Sequence, residues 1–188
     1  MSISEYLEAS EKAIAAARAH PGTGKVDAAI DAIVSTLADG KPLLACGNGG
    51  SASDAMHITG ELVGRFLKAR RALNCVCLAS NPAVLTAWSN DYSFDTVFSR
   101  QVEAYGKKGG AILGLSTSGN SKNIIEAFKV AREMGMTTIG LTGLGGGKMA
   151  EWSDILIDVP SSSTPIIQQI QICLYHYICE IVETRLAP

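Results

Sequence analysis

Residues 43–66, LLACGNGGSASDAMHITGELVGRF, decide the fold class of this chain. The stretch begins with a short apolar run, passes through a loop of glycine and serine, and continues as a helical pattern. An apolar strand, a small-residue loop and a helix in this order are typical of a βαβ unit. The stretch therefore predicts a buried parallel strand that opens directly into a helix.

The same order recurs along the chain, most clearly at residues 111–134. Further apolar runs of strand length lie at 73–78, 111–115, 137–142 and 155–159. Strands that alternate with helices predict an α/β fold with a parallel sheet between helical layers. We expect two helices within 1–40, divided at 21–24, and a single domain over 1–188.

Several helix ends are marked in the sequence. Gly40 suits the end of the second helix, Asn81 precedes a proline in the first turn of another, and Ser121 is placed to cap the helix after it. Thr164 and Pro165 start the last and longest helix, which is expected to run towards residue 185.

Composition excludes several functional classes. The formal net charge of −2, with positive charges scattered apart from residues 68–71, gives no basic surface for nucleic acid. No apolar run approaches the length of a membrane helix, and the N-terminus has no signal-peptide core, so we expect no membrane partner. The spacing of the five cysteines shows no CxxC pairing, and we expect them to be buried thiols in the cytoplasm.

The glycines after the first strand resemble a dinucleotide fingerprint only loosely. That fingerprint needs an acidic residue at the end of the next strand, where this chain has residues 77–81, CLASN. Neither this loop nor the one at 116–121 contains the Gly-Lys-Ser/Thr run that cradles a nucleotide triphosphate. We therefore expect no nucleotide cofactor.

The loop at 116–121, STSGNS, places four hydroxyl groups around a glycine at the start of a helix. Hydroxyl and backbone N–H donors at a helix N-terminus can hold a phosphate monoester without lysine. A serine-rich turn with an N-cap explains the same residues equally well. A second loop of this kind, at 47–51, favours phosphate binding over a simple capped turn.

His57 and Glu61 lie one helical turn apart if residues 53–66 form a helix, with Asp54 one turn before them. A solvated ion pair is the commoner explanation for this spacing. Catalysis is favoured by location, because the helix grows directly out of the glycine loop.

Gln168 and His176 lie on the last helix. Eight residues separate them, which is about 80° more than two turns and some 12 Å along the axis. Both could reach one ligand, or both could be satisfied polar groups in the core. The third histidine, His20, lies in a polar N-terminal region and suggests no function.

The chain resembles the phosphoheptose isomerase branch of the sugar isomerase (SIS) family in several motifs that occur in the same order. These are GNGGSASDAMHITGELVGR at 47–65, NDY at 90–92, LSTSGNS at 115–121, LTGLGGG at 141–147 and PSSSTPIIQQIQICLYH at 160–176. The resemblance implies a three-layer αβα sandwich of the flavodoxin-like type, with a five-stranded parallel sheet. It also implies a homotetramer with active sites at subunit interfaces, and N-terminal helices at 1–40 that pack on the core and on other subunits.

The activity implied is an aldose–ketose isomerisation of a phosphosugar, between sedoheptulose 7-phosphate and D-glycero-D-manno-heptose 7-phosphate. The resemblance makes Glu61 and His176 the acid/base pair. It implies zinc as the cofactor, with His57, Glu61, Gln168 and His176 as its ligands. It assigns the substrate to Asn48, Gly49, Gly50, Ser51, Glu61, Asn90, Asp91, Ser116, Thr117, Ser118, Ser121 and Gln168.

The chain departs from the family on the last helix, where arginine, glutamate and histidine become Ile166, Gln169 and Gln171. We expect the change to affect ion pairing, subunit contacts or sugar selectivity. The alternative function is a non-catalytic SIS protein that binds a sugar phosphate or a replication initiator. Such a relative lacks the glutamate and histidine that this chain retains as Glu61 and His176.

Overall fold

The computed structural model describes residues 2–187 and contains a five-stranded, all-parallel sheet in the order β2-β1-β3-β4-β5. The strands are β1 Leu43–Gly47, β2 Cys75–Cys77, β3 Ala111–Ser116, β4 Thr137–Thr142 and β5 Ile155–Asp158. In the ladder, Gly47 of β1 is level with Leu115, and Ser116 with Thr142. The loops after β1, β3 and β4 therefore lie at one edge of the sheet.

Seven helices surround the sheet within residues 2–187. They are α1 Ile3–Ala19, α2 Val26–Ala38, α3 Gly50–Val63, α4 Pro82–Asp91, α5 Val97–Tyr105, α6 Lys122–Glu133 and α7 Thr164–Leu186. Short 3₁₀ turns occupy Thr23–Lys25, Phe94–Thr96 and Gly147–Trp152. None of the helices in this part of the chain is long and apolar enough to cross a membrane.

Side chains of the strands alternate between two apolar clusters. In β1, Leu43 and Ala45 join a cluster with α2, α3 and α7, whereas Leu44 and Cys46 join one with α5 and α6. This period of two is what a strand buried on both faces requires. The predicted three-layer α/β sandwich is confirmed, and α1 and α2 pack against α7.

Most of the predicted helix ends are confirmed. Gly40 follows α2 with φ +70°, and the Asn81 side chain accepts hydrogen bonds from two N–H groups in the first turn of α4. The glycine-loop helix was placed too late, because α3 begins at Gly50 and ends at Val63. The second strand is shorter than predicted, since Leu73 hydrogen-bonds Leu62 at the end of α3.

The cysteine prediction is correct for four residues and wrong for the fifth. Cys46, Cys75, Cys77 and Cys179 are buried, whereas Cys173 is exposed on α7. Burial raises the pKa of the Cys75 and Cys179 thiols to about 12, which makes both weak nucleophiles at neutral pH.

A buried carboxylate holds the backbone of the long segment after α3 in place. Glu183 on α7 is 1% exposed and accepts hydrogen bonds from the backbone N–H groups of Phe66, Leu67 and Lys68 at 2.6–2.8 Å. Its Oε1 also lies 3.1 Å from Nε of Arg70. Burial by itself raises the pKa of Glu183, but the three N–H donors and the guanidinium outweigh it and hold the pKa below its ordinary value.

Arg70 in turn donates to the carbonyl of Glu61, at 2.7 Å. The ion pair therefore fixes the C-terminal end of α3 against α7. The same segment places Phe66 against the ring of His176, with ring centroids 5.7 Å apart.

We expect Glu183→Gln to lower the free energy of unfolding by about 3 kcal/mol, because it leaves Arg70 buried without a counter-ion. Urea denaturation at pH 7 measures the effect. Glu180→Gln, at an exposed position on the same helix, should change stability by less than about 0.5 kcal/mol.

The pH dependence has a definite sign. A lowered folded-state pKa stabilises the protein above the unfolded-state value of about 4.3 and loses that contribution as the pH falls through the folded value. The difference between wild type and Glu183→Gln should therefore shrink in acid. A constant difference from pH 7 to pH 3 would contradict this role.

Candidate functional site

The glycine loop between β1 and α3 has room for very few side chains. Gly49 has φ +57°, a conformation that favours glycine. A Cβ on Gly50 would lie 2.5 Å from Nε2 of Gln168, so the α7 amide packs directly on the start of α3. The predicted site residues Gly50 and Gln168 are thus brought together.

Asn48 is joined to the other loop by a reciprocal pair of amide hydrogen bonds. Its Nδ2 donates to Oδ1 of Asn123, and Nδ2 of Asn123 donates to Oδ1 of Asn48, both at 2.9 Å. Asn123, on α6, was missed from the sequence, although it follows the predicted serine loop by two residues. One N–H of Asn48 stays free of this pair and could donate to a ligand.

The serine loop is closed by its own hydroxyls. Oγ of Ser116 and Oγ of Ser121 lie 2.9 Å apart, and Oγ of Ser118 accepts from the N–H of Asn120 at 3.2 Å. Ser121 stands at the N-cap position of α6, but the prediction that it caps the helix is wrong, because its side chain bonds Ser116 instead. The start of α6 therefore has no side-chain cap, which suits an anion.

Thr117 extends the loop towards the last helix, with its hydroxyl 3.4 Å from that of Thr164 at the first position of α7. Ser51 is 4% exposed in the first turn of α3. The hydroxyls predicted to bind phosphate therefore lie at the carboxyl edge of the sheet, on the side where α3, α6 and α7 begin.

His57 connects α3 to α7 through both ring nitrogens. Its Nδ1 lies 3.0 Å from the hydroxyl of Tyr175, and its Nε2 lies 3.1 Å from Oε1 of Glu61. The Tyr175 hydroxyl donates to Oδ1 of Asp54 at 3.3 Å, so its oxygen is left to accept from Nδ1–H of His57. In the neutral form of His57, Nε2 is then the unprotonated nitrogen.

This arrangement requires one proton between Nε2 of His57 and Oε1 of Glu61, since an unprotonated nitrogen and a carboxylate oxygen are both acceptors. A carboxylate and an imidazole that share a proton can take up and release one during a reaction. Tyr175 was missed from the sequence because the apolar pattern of α7 predicts only that it is buried, not that its hydroxyl has two polar partners.

Asp54 has an unusual environment for a carboxylate. Its Oδ2 is buried and has no hydrogen-bond partner within residues 2–187. Burial raises the pKa of Asp54, and the Tyr175 hydrogen bond and the nearby His57 only partly offset this. Burial also raises the pKa of Tyr175, with the Asp54 charge adding to the effect.

His176 completes the cluster from α7. Its ring centroid lies 5.0 Å from that of His57. His57, Glu61 and His176 are therefore brought together as predicted, while Gln168 lies nearer the start of α3, beside Gly50 and Asp54.

The structure does not bring Asn90 and Asp91 to this cluster. Asn90 donates to Asp91 at 2.9 Å, and both are exposed at the end of α4. Within residues 2–187, no hydrogen bond or ion pair joins either of them to the glycine loop, the serine loop or α7. Asp95, shortly after them, lies 3.7 Å from Lys122 at the first position of α6.

The zinc ligands predicted from the sequence fit that metal by donor type, since zinc binds imidazole and carboxylate groups. Within one chain, however, these residues are not arranged as a metal site. Among residues 2–187, no group of three or more His, Cys, Asp or Glu side chains is placed to hold a metal ion. His57 and Glu61 are instead turned towards each other.

The three residues that depart from the family pattern make contacts of their own. Nε2 of Gln169 donates to the hydroxyl of Tyr6 on α1 at 2.9 Å. Gln171 is fully buried and donates to the carbonyl of Leu141 at 3.1 Å, while Ile166 packs against the apolar cluster that contains Val159. Two of these contacts link α7 to α1 and β4.

The parallel sheet between helices, with glycine- and hydroxyl-rich loops at its carboxyl edge, is the architecture of a sugar isomerase domain. A model of the SIS domain family matches residues 5–143. The chain belongs to the SIS domain family.

Named relatives are similar over 82–98% of the chain. The phosphoheptose isomerase of Synechocystis sp. is 45% identical over 98% of this chain and 95% of the relative. That of Rhodospirillum rubrum is 51% identical over 82% of both chains. The solved structure of phosphoheptose isomerase from Neisseria gonorrhoeae superposes with a TM-score of 0.91, at 39% identity and 97% coverage of both chains.

We expect Tyr175→Phe to lower the free energy of unfolding by about 1–3 kcal/mol, because Asp54 and His57 each lose a buried hydrogen-bond partner. It should also shift the balance of His57 tautomers, measured by ¹⁵N NMR of the imidazole. Tyr177→Phe, at an exposed position two residues along α7, is the matched control and should change neither quantity. An unaltered His57 spectrum in Tyr175→Phe would refute the hydrogen-bond chain.

Proposed function

We propose that this chain is an aldose–ketose isomerase that interconverts sedoheptulose 7-phosphate and D-glycero-D-manno-heptose 7-phosphate. The product is a heptose precursor of lipopolysaccharide and related glycans. The contact cluster of Glu61, His57 and His176, in which the first two lie on the helix that begins at the glycine loop, carries the proposal. It is supported by relatives named phosphoheptose isomerase that are 45–51% identical.

The reaction moves a proton between C1 and C2 through an enediol, which needs a base at carbon and an acid at oxygen. Glu61 is the base, and its Oε1 lies 3.1 Å from Nε2 of His57, within reach for passing on the proton that it takes from carbon. His176, whose ring lies 5.0 Å from that of His57, donates protons to the substrate oxygens and recovers them.

The phosphate lies in the serine loop, held by Ser116, Thr117, Ser118 and Ser121 with the uncapped start of α6, and Ser51 is nearby. The sugar contacts the glycine loop and Gln168 on one side. Because Asn90 and Asp91 make no hydrogen bond or ion pair with the cluster among residues 2–187, they contact sugar in a site that a neighbouring subunit completes.

A homotetramer agrees with the surface of the chain. In the single chain, the side chain of His57 is 41% exposed and that of Glu61 is 23% exposed. This is a large exposed fraction for acid/base groups. Large apolar side chains are also exposed on α1 and α7, namely Ile3, Leu7, Ile14, Ile172 and Tyr177. A second copy that covers these faces would exclude water from the cluster. A cytoplasmic location stays a prediction from the sequence.

Zinc is the proposed cofactor, held by His57, Glu61, Gln168 and His176. When bound, it would polarise the substrate carbonyl and stabilise the oxyanion. In the neutral form of His57, the contact of Nδ1 with Tyr175 leaves Nε2 as the unprotonated nitrogen, which is the form that binds a metal.

Metal-free protein should lose activity and regain it with zinc. Calorimetry should also show binding of one zinc per subunit, weakened at least about 10-fold in His57→Gln but not in His20→Gln. Full activity without metal, or equal zinc binding by all three proteins, would contradict the assignment.

The deciding experiment is incubation with sedoheptulose 7-phosphate and a panel of shorter ketose phosphates, followed by NMR for aldose formation. Glu61→Gln should reduce turnover at least about 100-fold and leave phosphosugar binding largely intact. Glu133→Gln, at the far end of α6, should turn over normally. Near-normal turnover by Glu61→Gln would remove it from the role of base, and no turnover of any sugar by wild type would favour the non-catalytic alternative.

A further inference from the structure

The glycine loop after β4, residues 143–147, packs directly behind the serine loop. Gly119 of the serine loop has φ +64°, and a Cβ there would overlap the carbonyl of Gly146. A Cβ on Gly143 would lie 2.5 Å from the carbonyl oxygen of Thr117, and one on Gly147 would lie 2.6 Å from that of Ser118. The two backbones therefore touch at residues 117–119 of the serine loop.

Hydrogen bonds join the same two segments. The N–H of Gly143 donates to the carbonyl of Thr117 at 3.1 Å, and that of Met149 donates to the carbonyl of Gly119 at 2.9 Å. The N–H of Lys148 donates to Oδ1 of Asn120 at 3.1 Å. The position of the serine loop thus depends on the position of the segment behind it.

That segment has little stiffness of its own. Four of residues 143–147 are glycine, and Gly145, Gly146 and Gly147 all have positive φ. Glycine loses more conformational freedom on folding than any other residue, so such a loop needs an external tie to hold one shape.

Two ties come from the chain at and after β5: the carbonyl of Ser161 accepts from the N–H of Leu144 at 3.0 Å, and Asp158, at the end of β5, holds the glycines themselves. Its Oδ2 accepts from the N–H of Gly145 at 3.0 Å and lies 3.1 Å from Nε2 of His20, between α1 and α2. Its side chain is 15% exposed and that of His20 is 20% exposed. Burial by itself raises the pKa of Asp158, but the Gly145 N–H and His20 outweigh it and keep the carboxylate ionised at neutral pH.

The turn between α1 and α2 also closes over Asp158. A Cβ on Gly22 would overlap the Asp158 carboxylate, whereas a Cβ on Gly24, two residues on, would meet nothing within 4 Å. The approach of this turn to β5 therefore depends on the missing side chain of Gly22.

We propose that Asp158 is a positioning residue for substrate phosphate, holding the serine loop in place through residues 143–147 with the support of His20 and Gly22. It touches neither the sugar nor the acid/base groups. The inference rests on the proposed function only in that the ligand of the serine loop is the phosphate of the substrate.

Kinetics separate this role from a merely structural one. Asp158→Ala and Gly22→Ala should each raise KM for the phosphosugar about 5- to 20-fold and leave kcat within about twofold, because the loop binds phosphate in ground and transition states alike. The dissociation constant of inorganic phosphate should rise in parallel, measured by NMR titration. Asp158→Asn, which keeps an acceptor for Gly145, should lie between Asp158→Ala and wild type.

Two matched controls exist in the chain. Gly24→Ala alters the same turn in open space. Asp154→Ala removes a carboxylate that accepts from Thr138 at the opposite end of β5, so it costs stability without reaching the serine loop. Both should leave KM and phosphate affinity unchanged. Unaltered KM in folded Gly22→Ala and Asp158→Asn, or a fall in kcat with KM unchanged, would overturn the proposal.

A ligand-free measurement keeps this inference separate from the proposed function. Amide hydrogen exchange at Gly119 and Gly145 should be at least about 10-fold faster in Asp158→Ala and Gly22→Ala than in wild type, Gly24→Ala or Asp154→Ala. If wild type neither binds phosphate nor turns over a ketose phosphate, the proposed function fails. Equal exchange rates at Gly119 in all five proteins would refute the inference itself.

Discussion

Helix α3 can begin within three residues of β1 only because the connecting glycines have no side chains. A Cβ on Gly47 would overlap the backbone of Ser51, and one on Gly50 would collide with the Gln168 amide. This close approach aligns α3 with α7 from its first turn. His57 and Glu61, two and three turns further on, then face His176 and Tyr175 across the helix pair.

Around the contact between α3 and α7, polar groups from distant parts of the chain fix the positions of the loops and helices. The Asn48–Asn123 pair ties the glycine loop to α6, and the Glu183 carboxylate holds the segment after α3 against α7. Each is buried or half-buried, where an unpaired polar group would be costly. The helices and loops of the site are thus held in their relative positions by a few hydrogen bonds between residues that are far apart in the sequence.

Sequence periodicity was sufficient for the strands, because a strand buried on both faces must be apolar throughout. It was less reliable at the ends of elements. The start of α3 was placed three residues too late because glycine is a poor helix former, and only the packing of Gln168 on Gly50 compensates for it. The hydroxyl of Ser121 was assigned to a helix cap because local sequence favours caps, whereas its partner in the fold is Ser116.

The sequence by itself determined the α/β class, the order of strands and helices, the two hydroxyl- and glycine-rich loops, and the candidates Glu61, His57 and His176. These follow from local patterns, since strand and helix periodicity act over a few residues. Only the tertiary structure decided the partners of those groups. Tyr175 lies 118 residues from His57, and Asp158 lies 138 residues from His20. Hydrogen bonds of this kind depend on distances between side chains of packed elements, and sequence spacing contains no information on such distances.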